Sequence, residues 1–263
     1  MARVCPLFSG SSGNSYYIGS AQAGILIDAG RSAKQISEML QNCAIGLSAV
    51  KAIFVTHEHS DHVAGLRVFA SRFHLPVYAS RGTLAALESM GCLNGKFEYR
   101  VIDGAVECAG MSVQPFPIPH DSAECVGYRL ETGDGRKIAL STDLGYLSDG
   151  VRDQLSGADM VILESNHDVG MLQNGPYPYP LKRRILSKTG HLSNTDCSEE
   201  LSCLVRQGAT RFLLAHLSAE NNTPILAYQT ALCSLDMAGM KQGKDFELFV
   251  APRENAEGKT ILF

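Results

Sequence analysis

Short apolar runs separated by glycines open the chain. Residues 4–8, 15–18 and 25–28 have the length and composition of strands, and Gly10, Gly13, Gly19, Gly24 and Gly30 punctuate them. The period then changes to that of a helix over residues 32–40, where Ile36, Met39 and Leu40 share one face. A strand at 52–55, a helix at 63–73 with Leu66, Phe69 and Ala70 inward, a short strand at 76–79 and a helix at 83–90 follow. The middle is again rich in strands, at 98–102, 106–108, 111–116, 126–131 and 137–141, with Gly133-Asp134-Gly135 as a hairpin turn between the last two. A buried strand at 159–164 runs into polar Ser165-Asn166-His167-Asp168. Helical segments near 180–187, 195–207 and 224–238 remain, with strands at 211–215, 246–250 and 260–263.

Each half thus begins with antiparallel-looking strands and moves toward alternating strands and helices. Two packed mixed sheets with helices outside accommodate that order, which predicts an α+β fold, an αββα four-layer sandwich. No repeat period and no low-complexity linker divides the chain, so residues 1–263 read as one domain of two pseudo-equivalent halves meeting near residue 133.

Composition narrows the class. With 263 residues, 45% of them apolar and 19% charged, the chain can bury a full core. No apolar run approaches the roughly 20 residues that span a bilayer, and Met1-Ala2-Arg3-Val4-Cys5-Pro6 is too quickly polar for a secretion signal. A cytoplasmic protein without membrane attachment is expected. The eight cysteines include no Cys-x-x-Cys pair and sit in mostly apolar or helical surroundings, which suits free thiols in a reduced compartment. A formal charge of −4 gives no general attraction to nucleic acid, although a local cleft can still be positive. The dense basic cluster is Lys182-Arg183-Arg184, with Lys188 nearby. It is either a solvated helix face or a phosphate-contacting rim.

The chemistry concentrates in Thr56-His57-Glu58-His59-Ser60-Asp61-His62, directly after the apolar run 52–55. Three histidines and two carboxylates within six residues, where a strand gives way to a helix, supply nitrogen and oxygen ligands suited to Zn²⁺, Mn²⁺ or Fe²⁺. Pro117-Ile118-Pro119 holds the backbone ahead of His120. Asp143 follows the apolar strand 137–141, where it could bridge two cations or cap the following turn. His216 follows four apolar residues, as a ligand or as an edge histidine with local partners. Four separate strands therefore release a His or an Asp at their ends. An αββα sandwich can gather those ends at one rim, and the compound pattern favours a two-metal hydrolytic centre.

The architecture and the element His57-x-His59-x-Asp61-His62 resemble the metallo-β-lactamase superfamily over nearly the whole chain. The resemblance implies one cation held by His57, His59 and His120, and a second by Asp61, His62 and His216, with Asp143 bridging. Glu58 and Ser60 fall at variable positions. Asp61, and Asp143 where some β-lactamases carry Cys, look like the hydrolase and phosphodiesterase branches. Ser9-Gly10-Ser11-Ser12-Gly13-Asn14-Ser15, Glu164-Ser165-Asn166-His167-Asp168 and Gly190-His191-Leu192-Ser193-Asn194 are similar to the bacterial WalJ/YycJ-type subfamily. That likeness implies a phosphodiester hydrolase using two divalent cations, Zn²⁺ or Mn²⁺ with Fe²⁺ admissible, acting as a 5′-to-3′ DNA exonuclease. Hydrolysis of a small ester, thioester or lactone is the alternative. Asp61 would also orient the attacking water, and His191 would act as general acid or phosphate clamp, unless it merely precedes a helix cap.

Further substrate contacts are expected from a basic rim facing DNA. Ser12 and Asn14 lie in a Gly-rich loop that lacks the Walker Gly-Lys-Ser ending. His167 and Asp168 could pair, the carboxylate fixing the imidazole tautomer, or Asp168 could cap a helix. Tyr177 and Tyr179 offer stacking faces, and Lys182, Arg183 and Arg184 offer cations for phosphates.

Overall fold

The computed structural model describes residues 2–262. Met1, and Phe263 of the expected last strand, lie outside the described residues. One sheet has the order β14-β1-β2-β3-β4-β5-β6, formed by β1 (Arg3–Phe8), β2 (Ser15–Gly19), β3 (Gly24–Ile27), β4 (Val50–Phe54), β5 (Val77–Ala79), β6 (Tyr99–Val101) and β14 (Ile261–Leu262). The other has the order β13-β12-β11-β10-β9-β8-β7, formed by β7 (Val106–Cys108), β8 (Met111–Pro117), β9 (Val126–Thr132), β10 (Lys137–Ser141), β11 (Met160–Glu164), β12 (Arg211–Ala215) and β13 (Glu247–Val250).

Both sheets change character in the middle. β1, β2 and β3 pair antiparallel, whereas β3 through β6 run parallel. Likewise β7 through β10 pair antiparallel and β10 through β13 run parallel. Each sheet thus begins antiparallel and turns parallel, and the chain passes from the first sheet to the second between β6 and β7; residue 133 lies in the β9–β10 hairpin of the second sheet rather than between the sheets. The helices are α1 (Ala33–Asn42), α2 (Ser60–Val63), α3 (Leu66–Phe73), α4 (Arg81–Ser89), α5 (Asp149–Leu155), α6 (Val169–Asn174), α7 (Tyr179–Ile185), α8 (Asn194–Arg206) and α9 (Pro224–Met237).

Three apolar clusters define four layers. Between the sheets, Val4, Tyr16, Phe54, Tyr128, Leu140 and Ile162 pack together. There Phe54 stacks on Tyr78 at 4.8 Å and meets Tyr128 edge-on at 5.7 Å. The Tyr128 hydroxyl, fully buried, donates to the Val55 carbonyl at 2.7 Å and so ties one sheet to the other. Ile36, Leu40, Phe69 and Leu84 cover the outer face of the first sheet, and Val151, Leu201, Ala231 and Leu235 that of the second. Among the described residues no helix is long and apolar enough to cross a membrane.

Two local expectations change. The helix expected over 63–73 is broken into α2 and α3 at Gly65, where a Cβ would come 1.9 Å from the Arg31 carbonyl. A close tertiary approach, invisible to periodicity, sets that break. The short helices α5 and α6 have seven and six residues, too few to establish a period, and are started by side-chain caps from Ser148 and Asp168.

Candidate metal centre

The parallel strands β3, β4, β10, β11 and β12 end at one rim, and a polar residue follows or closes each. Asp28 follows β3, Asp143 lies two residues past β10, Glu164 closes β11 and His216 follows β12. Asp28, Asp143 and His216 have φ of 62°, 59° and 54°, a left-handed conformation that turns the chain sharply at the strand exit. β4 leads into Thr56 and His57, and the first turn of α2 then carries Asp61 and His62.

These exits place two sets of candidate ligands side by side. The ring centroids of His57, His59 and His120 lie 4.5–5.1 Å apart, and one nitrogen from each falls in a single group. In the second set, His62 Nε2 and His216 Nε2 each lie 3.6 Å from Asp61 Oδ2. Asp143 stands between them, its Oδ2 3.1 Å from His62 Nε2 and its Oδ1 3.9 Å from His120 Nε2. All seven residues expected as ligands converge.

The hydrogen bonds around the rings fit cations at these positions. His62 Nδ1 donates to Asp28 Oδ2 at 2.7 Å, His216 Nδ1 to Glu164 Oε1 at 2.7 Å, and His120 Nδ1 to the Gly190 carbonyl at 3.2 Å. Each bond fixes the tautomer that leaves Nε2 as a lone pair facing the rim. His57 Nε2, His216 Nε2 and Asp143 Oδ2 are buried with no hydrogen-bond partner. A cation satisfies such orphaned acceptors. The donor set of imidazole and carboxylate is that of zinc, manganese or iron.

Without cations the same atoms compete for protons. Burial pushes His62 down, but Asp143 and Asp28 overcome it and hold the ring well above its ordinary value. His216 behaves alike: burial lowers it, whereas Asp143, Asp61 and Glu164 raise it to about 10. His57, buried beside His62, is pushed well down.

Residues not singled out as site residues by the sequence reading complete the centre. Asp28, fully buried, accepts from the Thr56 amide and hydroxyl, both at 2.8 Å, as well as from His62. Glu164, also fully buried, accepts from the Leu144 and Leu192 amides at 3.0 Å through one oxygen. Its other oxygen takes His216 Nδ1 and His191 Nδ1, the latter at 2.9 Å. Burial alone would raise the Glu164 carboxyl; the two imidazoles reverse this and hold it at about 2. Both acids end an apolar strand, the same signal that marks Asp143 and His216.

A cleft of about 220 Å³ opens over the ligands, lined among others by Asp61, Asp143, His191, His216, Tyr177 and Arg184. His191 sits 5.4 Å from the His120 ring and 5.3 Å from that of His216. Asn14 lies beneath, its Nδ2 3.0 Å from His62 Nε2 and 3.3 Å from Asp61 Oδ2. Arg184 makes a two-pronged ion pair with Asp121, at 2.5 and 2.8 Å.

The remaining expected contacts sit elsewhere. Ser12 is exposed at its loop tip, and its neighbour Ser11 lines the cleft instead. Lys182 Nζ turns back onto the Gln173 and Gly175 carbonyls, both at 2.8 Å. Arg183 is exposed, and Tyr179 is 73% exposed and does not line the cleft. Asp168 caps α6 through the Met171 amide, while His167 is buried with both ring nitrogens unpartnered. The two do not pair.

Residues 24–217 match the beta-lactamase superfamily domain. Over 246 residues, 92% of each chain, the protein is 39% identical to a Bacillus anthracis protein named exodeoxyribonuclease YycJ. It is 36% identical over 260 residues to exodeoxyribonuclease WalJ of Streptococcus pneumoniae, covering 97% of this chain and 96% of the relative. In fold it is similar to zinc-bound PqqB of Methylobacterium extorquens, with a TM-score of 0.72 and 18% identity across 99% of this chain and 100% of that one. With its His/Asp ligand groups the protein is a metal-dependent hydrolase. It belongs to the metallo-β-lactamase superfamily, in the group that includes YycJ and WalJ.

Proposed function

We propose that the protein hydrolyses phosphodiester bonds at the end of DNA, as a 5′-to-3′ exodeoxyribonuclease carrying two divalent cations, Zn²⁺ or Mn²⁺. The observation that carries this reading is the pair of ligand groups bridged by Asp143, with His191 held at the same cleft by Glu164. The names of the YycJ and WalJ relatives support DNA as the substrate. Eight free cysteines fit action in the reducing cytoplasm.

Cations held by the two ligand groups would supply an activated water and a sink for charge on the phosphate. The protein's own groups do the positioning. His57, His59 and His120 form one set, and Asp61, His62 and His216 the other. Asp61, with its side chain 23% exposed in the cleft, accepts a hydrogen bond from the attacking water and orients it. His191 has its Nδ1 committed to Glu164, so its Nε2 is the atom free to give a proton to the leaving oxygen or to clamp the phosphate. Tyr177 and Arg184 line the approach.

One observation favours a second reading, hydrolysis of a small ester, thioester or lactone. The cleft is small, and two cations of the basic cluster are already engaged, Arg184 by Asp121 and Lys182 by backbone carbonyls. A single experiment separates the two. Metal-stripped protein is reloaded with Zn²⁺ or Mn²⁺ and offered 5′- and 3′-end-labelled DNA, RNA and a panel of esters. Label released first from the 5′ end of DNA supports the proposal. Turnover of esters with intact DNA rejects it.

A further inference from the structure

We infer that Arg31 and the adjoining loop 9–14 form a second anion subsite, for the phosphate one step along the strand from the one being cleaved. This inference rests on the phosphodiesterase reading above. The turn that carries Arg31 is bonded to the metal-ligand segment through backbone. The Ala29 amide donates to the His62 carbonyl at 2.8 Å, the Asn14 amide to that of Asp61 at 2.7 Å, and the Gly30 amide to that of Asn14 at 2.9 Å. Gly30 permits this approach, because a Cβ there would come 1.7 Å from the Asp61 carbonyl. The Arg31 side chain then runs along the loop. At Gly13, where φ is 155°, a Cβ would come 2.6 Å from Arg31 Cγ and Cδ. Ser11, two residues earlier in that loop, lines the cleft.

Arg31 is therefore a half-buried cation on a rigid support beside the centre, and its charge is not used internally. Arg100, Arg136, Arg152 and Arg184 each hold a carboxylate. Among the described residues Arg31 holds none. Its guanidinium carbon lies 5.5 Å from the Phe8 ring centroid, and its Nε is buried without a hydrogen-bond partner. A planar fork stacked on an aromatic face with donors to spare is suited to phosphate oxygens. The charge of Arg184, which lines the cleft, is already taken by Asp121. A substrate with one phosphate engages only the metal centre, whereas a polynucleotide reaches Arg31 as well.

The test compares wild type, Arg31→Gln and Arg31→Lys on a single-stranded oligonucleotide and on bis(p-nitrophenyl) phosphate, a diester with one phosphate. Metal content and thermal midpoint are checked for each variant. For Arg31→Gln the oligonucleotide KM rises about tenfold, the scale of one charge-assisted contact. The slope of log KM against log salt flattens by about 0.7, as for one lost phosphate contact on a single strand. Kinetics on the one-phosphate diester stay within about twofold of wild type, because no second phosphate is present there. Arg31→Lys restores the salt slope but not the full KM, since the charge returns without the fork. Equal losses on both substrates would assign Arg31 to bracing the Asp61 turn and overturn the inference. An unchanged oligonucleotide KM overturns it too. If wild type cleaves both substrates and the variants do not separate them, only this inference falls. If wild type cleaves neither, the phosphodiesterase reading falls and takes the subsite with it.

Discussion

Replacing Asp28 by Asn tests whether a residue that never touches a cation sets the strength of the metal centre. The carboxylate is fully buried and accepts three hydrogen bonds, from the Thr56 amide, the Thr56 hydroxyl and His62 Nδ1, at 2.7–2.8 Å. Asn keeps the shape and, unlike most residues, tolerates the left-handed backbone at this position. It offers only one acceptor oxygen. If the amide oxygen faces His62, the new NH₂ confronts the Thr56 N–H and leaves a buried donor unmet, at a cost of about 1–3 kcal/mol in stability. If the NH₂ faces His62 instead, the ring must move its proton to Nε2, the atom expected to bind metal. Loss of such an orienting carboxylate weakens metal binding about 10–100-fold, or about 1.4–2.7 kcal/mol. Chelator competition measured beside urea unfolding separates the outcomes, and the larger loss is expected at the His62 position. A folded Asp28→Asn variant that binds both cations with wild-type affinity and stability would refute the reasoning.

Three further outcomes follow from the same geometry. Metal uptake by the stripped protein should strengthen as pH rises through neutrality, because protons held on His62 and His216, the latter up to about 10, must leave as metal enters; affinity independent of pH between about 6 and 8 would exclude this competition. Glu164→Gln and His191→Ala should each cut phosphodiester turnover by about 100-fold or more. The losses should be less than multiplicative in the double variant, since Glu164 acts partly through His191 as well as through His216, and fully multiplicative losses would uncouple Glu164 from His191. Gly30→Ala should destabilise the protein by about 3 kcal/mol or more, read from urea midpoints, because its Cβ would enter the Asp61 carbonyl.

Much of the candidate site was readable because its residues are announced locally, by an apolar strand that stops at a His or Asp. Histidines 57, 120 and 216 and Asp143 all follow that rule, and the dense 57–62 segment makes the reading hard to mistake. Asp28 and Glu164 obey it too, yet their roles lie in partners 34, 27 and 52 residues away, His62, His191 and His216. A buried acid at a strand end carries no mark in one sequence of what it will accept. The basic cluster was legible as charge but not as geometry. On the seven-residue α7, Lys182 folds onto its own loop, Arg184 meets Asp121 and Arg183 faces solvent. Those three fates depend on neighbours that no spacing rule supplies.

The left-handed exits link folding to metal binding. Glycine would adopt φ near 60° without strain, whereas Asp28, Asp143 and His216 hold it at a cost of order 1 kcal/mol or more each. Glycine could not supply an acceptor at any of the three places. Each side chain is almost fully buried, and together with Asp61 and Glu164 they set four carboxylates around six imidazoles, those of residues 57, 59, 62, 120, 191 and 216. Such a cluster is stable only when its charges are matched by protons or by cations. Cations that bind the folded rim and not the unfolded chain stabilise the fold by mass action. These three strand exits are therefore strained where ligand binding can offset the strain, and stripping the metal should loosen this rim before it loosens the apolar layers behind it.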